Sequence, residues 1–92
     1  MAFRKIDYSA AVHKYNVPLE AMLSCLKAHR WAKKVLTEKE GSGHQFSLYR
    51  TKKGLIGCSF AKAEWAGDHS GGDSHYGSLA IVKSVIEYLE GE

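Results

Sequence analysis

A stretch of alternating side chains followed by a short glycine-containing turn most constrains how this chain can fold. Residues 45–50 alternate between polar and apolar side chains, and residues 55–60 form a second, more apolar run. Alternation with a period of two is typical of a β-strand with one buried face. Residues 51–54, Thr-Lys-Lys-Gly, lie between the two runs, and Gly54 can supply the positive φ angle that a tight loop needs. We therefore predict a β-hairpin with a positively charged tip.

Two helices are predicted before this hairpin. Asp7 is suited to cap a short helix whose apolar residues recur at helical spacing as far as Tyr15. Pro18 suits the first turn of a second helix, which we expect to end near Arg30. We interpret the apolar stripe of the second helix as a core face, and it consists of Leu19, Met22, Leu23 and Leu26.

The remaining segments complete the predicted fold. Residues 35–37, Val-Leu-Thr, are β-prone and are predicted to be a first strand. Residues 66–77 are rich in glycine, serine and aspartate and are predicted to be a loop, and a last amphipathic helix is predicted from Gly77. The order predicts an α+β fold with a small three-stranded antiparallel sheet and helices packed on one face. Residues 1–92 are expected to form a single domain.

Composition limits the classes of function. The chain is 45% hydrophobic and 25% charged, and no apolar run approaches the roughly 20 residues that span a bilayer, so we expect no membrane association. The N-terminus lacks the apolar stretch of a secretory signal, and Cys25 and Cys58 are interpreted as free thiols, both of which favour the cytoplasm. The net charge is +3, and the middle of the chain is its most basic part. The basic residues there are Lys27, Arg30, Lys33, Lys34, Arg50, Lys52, Lys53 and Lys62.

The basic hairpin and a neighbouring histidine are the candidate functional residues. His44 follows a glycine-rich turn, and a neutral imidazole is suited to proton transfer near neutral pH. It could take the proton of a ribose 2′-hydroxyl while nearby cations stabilise the phosphorane. The alternative is that His44 only closes a tight turn and that the lysines only promote solubility. The candidate nucleic-acid contacts are Ser42, Tyr49, Arg50, Lys52 and Lys53.

A metal site is not predicted. Asp68, His69, Asp73 and His75 carry suitable ligand atoms, but their spacing fits no strong template. No cofactor is expected either.

The chain resembles the HicA family of toxin–antitoxin ribonucleases over residues 19–90. The resemblance depends on a leading helix at 19–31, the turn Gly41-Ser42-Gly43-His44, the Lys-Lys-Gly hairpin at 51–55, and a last helix that opens with Gly77-Ser78-Leu79. It implies a fold like that of double-stranded-RNA-binding domains, α-β-β-β-α, with residues 1–17 as an additional N-terminal helical extension. It also implies metal-independent cleavage of mRNA by His44 and a HicB-like antitoxin as the partner.

Two other functions remain open, as does the question of whether the chain is an enzyme at all. A phage-encoded, non-enzymatic inhibitor could use the basic hairpin to dock on a ribonucleoprotein such as a CRISPR surveillance complex. A DNA-binding regulator could use the first two helices as a helix-turn-helix, with Glu20, Ser24 and Lys27 facing the major groove. The partner is RNA for a HicA-like ribonuclease and a ribonucleoprotein for an inhibitor. In both cases we expect the protein to act inside a bacterial or phage-infected cell.

Overall fold

The structure is a computed structural model that describes residues 5–91, so the first four residues of the predicted N-terminal extension lie outside it. Within this range the chain folds into four helices and a three-stranded antiparallel sheet, and the predicted small α+β fold is confirmed. The elements are α1 (Tyr8–Lys14), α2 (Leu19–Leu23), α3 (Cys25–Glu40), β1 (His44–Arg50), β2 (Ile56–Lys62), β3 (His69–Ser74) and α4 (Gly77–Gly91).

The predicted second helix is two helices. Ser24 adopts an extended conformation, with φ −134° and ψ 126°, and separates α2 from α3. Its hydroxyl oxygen accepts a hydrogen bond from the Lys27 amide at 3.4 Å, as expected of an N-cap. Because the helix breaks here, Glu20, Ser24 and Lys27 do not share one helical face, and the predicted DNA-recognition helix is absent from residues 19–27.

Helix α3 extends through the segment that we predicted to be a first strand. Leu36 is completely buried and continues the buried stripe of Ala28 and Ala32 at a spacing of four residues, so packing overrides the β propensity of residues 35–37. The helix ends at Glu40 and is capped by Gly41, which has a φ angle of +93°.

The hairpin is confirmed, and the third strand lies where we predicted a loop. β1 pairs with one side of β2, with Phe46 opposite Phe60, and β3 pairs with the other side of β2. A β-carbon on Gly72 would lie 2.3 Å from a main-chain oxygen of α4. The small residues of β3 therefore allow α4 to lie directly against the sheet.

The core lies between α4 and the sheet, with α3 packed against α4. Phe60 from β2 and Ile86 from α4 are among the largest buried side chains. The predicted core stripe on residues 19–26 is wrong at its leucines, because Leu19, Leu23 and Leu26 are 69%, 78% and 60% exposed. The break at Ser24 turns Ala21 and Ala28 toward the core instead.

Candidate nucleic-acid interface

The hairpin tip presents three exposed cations. Lys52 and Lys53 lie in the loop, and Arg50 ends β1. The Arg50 guanidinium donates a hydrogen bond to the main-chain oxygen of Gly54 at 2.9 Å, which holds this side chain against the loop. Within residues 5–91, none of the three has a carboxylate within 4.0 Å. Their charge is therefore available to an anionic partner.

The outer face of α3 carries a second set of exposed cations. Lys27, Arg30 and Lys34 recur at i, i+3 and i+7, which places them on one side of the helix. No carboxylate of the described residues pairs with them. They line a shallow cleft of about 360 Å³ whose wall includes Trp31. A helix predicted to end near Arg30 does not include Lys34, so the alignment of these three cations did not follow from the sequence.

His44 is buried instead of exposed. Its side chain is 1% exposed, and its Nε2 atom lies 3.0 Å from Glu40 Oε1. The ring packs edge-on against Trp65, with 5.4 Å between ring centroids. The other ring nitrogen, Nδ1, is also buried and has no hydrogen-bond partner among the described residues. In this position the imidazole is closed to a ribose hydroxyl.

Glu40 connects His44 to the rest of the structure. Its second carboxylate oxygen accepts a hydrogen bond from the Tyr88 hydroxyl at 2.8 Å, and its main-chain oxygen accepts one from Lys62 Nζ. Burial alone would raise the pKa of Glu40, but the hydrogen bonds from His44 and Tyr88 outweigh it and lower this pKa below its ordinary value. The group thus links the end of α3 to β1, β2 and α4.

The structure does not bring His44 and the hairpin lysines together. His44 begins β1 and Arg50 ends it, and at about 3.3 Å per residue the two lie about 20 Å apart. Ser42 is exposed in the turn beside His44, so it also lies at the end opposite the hairpin tip. Cleavage by His44 stays a prediction, and it would require the ring to leave its pocket.

Tyr49 lies on the open face of the sheet, next to the hairpin tip. It is 40% exposed, and its ring covers Gly57, where a β-carbon would lie 2.6 Å from the ring. Because Gly57 has no side chain, the ring can pack directly on its main chain, and the exposed part of the ring remains accessible to a base. Tyr49 and Arg50 are both exposed at the end of β1, and their roles in base stacking and phosphate contact stay predictions.

Two of the four residues that we considered as metal ligands, Asp68 and His69, make other contacts. The Ser59 hydroxyl donates to Asp68 Oδ2 at 2.5 Å, and His69 Nε2 lies 3.1 Å from the main-chain oxygen of Ser84. Over residues 5–91, no group of three or more histidine, cysteine, aspartate or glutamate side chains is placed to hold a metal ion.

The chain matches no family model, no curated protein and no solved structure with which it was compared. Its resemblance to HicA ribonucleases therefore stays a prediction from the motifs. No helix in the part of the chain that the structure describes has the length and apolar character needed to cross a membrane.

Proposed function

We propose that this chain is a small RNA-binding domain that contacts the phosphate backbone through the hairpin tip and the outer face of α3. The observation that carries the proposal is the set of six exposed cations that lack a carboxylate partner, in a chain whose net charge is only +3. Phosphates neutralised by such cations release counterions, and this release supplies much of the affinity in nucleic-acid binding. Tyr49 adds an aromatic surface on which an unpaired base can stack.

In this proposal His44 has a structural role. Its hydrogen bond to Glu40 and its burial against Trp65 make it a connection between α3 and the sheet, and RNA is bound and released intact. A 5′-labelled oligoribonucleotide incubated with the protein and resolved on a denaturing gel should remain full length. Cleavage by the wild type that disappears in His44→Gln would support the HicA-like ribonuclease instead. Growth arrest on expression, relieved by a HicB-like antitoxin, would support it further.

RNA binding is tested by fluorescence anisotropy with a labelled single-stranded oligoribonucleotide. Lys52→Ala/Lys53→Ala and Arg30→Ala/Lys34→Ala should each weaken binding at moderate salt, because each removes two phosphate-facing charges. Lys14→Ala is the matched control, since Lys14 is already paired with Glu90 at 3.0 Å. Equal affinities for the wild type, both double variants and the control would reject the proposed interface.

A second candidate function is the non-enzymatic inhibitor that docks on a ribonucleoprotein such as a CRISPR surveillance complex. The exposed leucines Leu19, Leu23 and Leu26 favour it, because they place apolar surface next to the cations that begin with Lys27. In this case the purified ribonucleoprotein should bind the chain more tightly than free guide RNA does. Leu23→Glu should then weaken binding to the ribonucleoprotein without changing binding to free RNA.

A further inference from the structure

β1 is an edge strand with an open side. The strand order is β1-β2-β3, so β1 pairs only with β2. Gln45, Ser47 and Tyr49 are exposed along it, and no main-chain hydrogen bond reaches its outer side from any residue between 5 and 91. An edge strand of this kind presents a row of unpaired N–H and C=O groups to which another strand can add.

A groove of about 310 Å³ lies between this strand and the first turns of α3. It is mostly apolar, and its walls consist of Cys25, Leu26, His29, Phe46, Leu48 and Ile81. Leu26 and Leu48 remain 60% and 45% exposed, so the chain itself does not fill the groove. Apolar surface next to an open strand edge is the arrangement in which strand addition gains both main-chain hydrogen bonds and side-chain pockets.

The charges around the groove define its occupant. Lys33 lies one turn after His29 on α3, and Arg50, Lys52 and Lys53 lie where β1 ends. The groove lining contains no aspartate or glutamate. Burial lowers the pKa of His29 on the groove wall, and the charge of nearby Lys33 lowers it further. An acidic segment bound along β1 would find opposite charges at Lys33 and at the hairpin tip.

We propose that β1 and this groove bind an extended, acidic segment of a partner protein by β-strand addition. The segment pairs its main chain with the outer side of β1, which is 7 residues long. Alternate apolar side chains of the segment enter the groove between Leu26 and Leu48. Acidic side chains at or beside the ends of the segment meet Lys33 and the cations of the hairpin tip. The segment and RNA would share the hairpin-tip cations, whereas the outer face of α3 is not used by the segment, so binding of the segment can be measured without RNA.

A peptide-display library of random heptapeptides, selected on the whole chain, tests the proposal. The enriched sequences should alternate apolar and other residues and carry aspartate or glutamate. The best synthetic peptide should slow hydrogen exchange at alternate amides of β1, which is the signature of an added strand. Leu48→Glu should weaken its binding at least about tenfold, because the variant loses an apolar contact and repels the acidic segment.

Leu19→Glu is the matched control, since Leu19 is also an exposed leucine, at 69% against 45% for Leu48, but lies outside the groove. Its affinity for the peptide should equal that of the wild type, and both variants should keep the wild-type circular dichroism spectrum. The proposal is overturned if no peptide is enriched, if the enriched peptides are basic, or if Leu48→Glu binds as tightly as Leu19→Glu. Sedimentation showing a dimer that Leu48→Glu dissociates would assign the edge to a second copy and would also overturn it.

Discussion

Replacing His44 by alanine tests whether this side chain is structural. The substitution removes a hydrogen bond to the Glu40 carboxylate, and bonds to charged groups contribute about 1.5–3 kcal/mol. It also leaves a cavity beside Trp65, because the ring is 1% exposed. Together these effects should lower the free energy of unfolding by about 3 kcal/mol. For a domain of this size such a loss corresponds to a melting temperature lower by roughly 12 °C or more.

Urea denaturation at pH 7, followed by circular dichroism at 222 nm, measures this loss. His75→Ala is the control, because His75 is exposed and its removal should change stability by less than about 0.5 kcal/mol. In a double-mutant cycle, His44→Ala and Glu40→Gln should couple by about 1 kcal/mol or more, because the two side chains interact directly. If His44→Ala were as harmless as His75→Ala, the ring would not be buried in solution. An exposed His44 would then be accessible to RNA, as the role of general base in a HicA-like ribonuclease requires.

Three other predictions concern the packing around the sheet. Gly72→Ala should lower the free energy of unfolding by about 3 kcal/mol or more, because a β-carbon there would clash with the main chain of α4 and because Gly72 has a φ angle of +72°. Gly67→Ala is the control, since a β-carbon at Gly67 would meet open space and should have little effect. Urea denaturation compares the two variants. Ellman's reagent should react rapidly with the exposed thiol of Cys25 and slowly with that of Cys58, because burial raises the pKa of Cys58 to about 11. Equally fast reaction of the two thiols would contradict the burial of Cys58. Because the folded-state pKa of Glu40 lies below its ordinary value of 4.5, its contribution to stability is present above that pH and is lost as the pH falls through the lower folded value. The urea midpoint should therefore fall less steeply between pH 7 and pH 3 in Glu40→Gln than in the wild type. The same pH dependence in both proteins would contradict a lowered pKa of Glu40 in the folded state.

The parts of the fold that local signals determine could be predicted from the sequence. Alternation over residues 45–50 and the glycine at position 54 defined the hairpin, and the apolar spacing after Gly77 defined α4. The break at Ser24 also had a local signal, since serine is a favoured N-cap, but the continuous apolar spacing on both sides concealed it.

The errors arose where distant contacts decide the structure. Leu36 is helical because it completes the buried stripe of α3, against its local β propensity. The glycine-rich residues of β3 form a strand because they let α4 pack closely on the sheet, which the local sequence does not indicate. The burial of His44 depends on Glu40, which is held in turn by Tyr88, 48 residues further along the chain. The cations of α3 could be aligned only once the helix was known to continue to Glu40.

The salt dependence of RNA binding tests the central claim most directly. The logarithm of the affinity should fall linearly with the logarithm of the salt concentration, with a slope of about 0.7 for each phosphate contacted on a single strand. Removing two contacts in Lys52→Ala/Lys53→Ala should therefore reduce the magnitude of that slope by about 1.4. An affinity that does not depend on salt, or a slope identical in the wild type and the double variant, would show that the hairpin cations do not contact RNA.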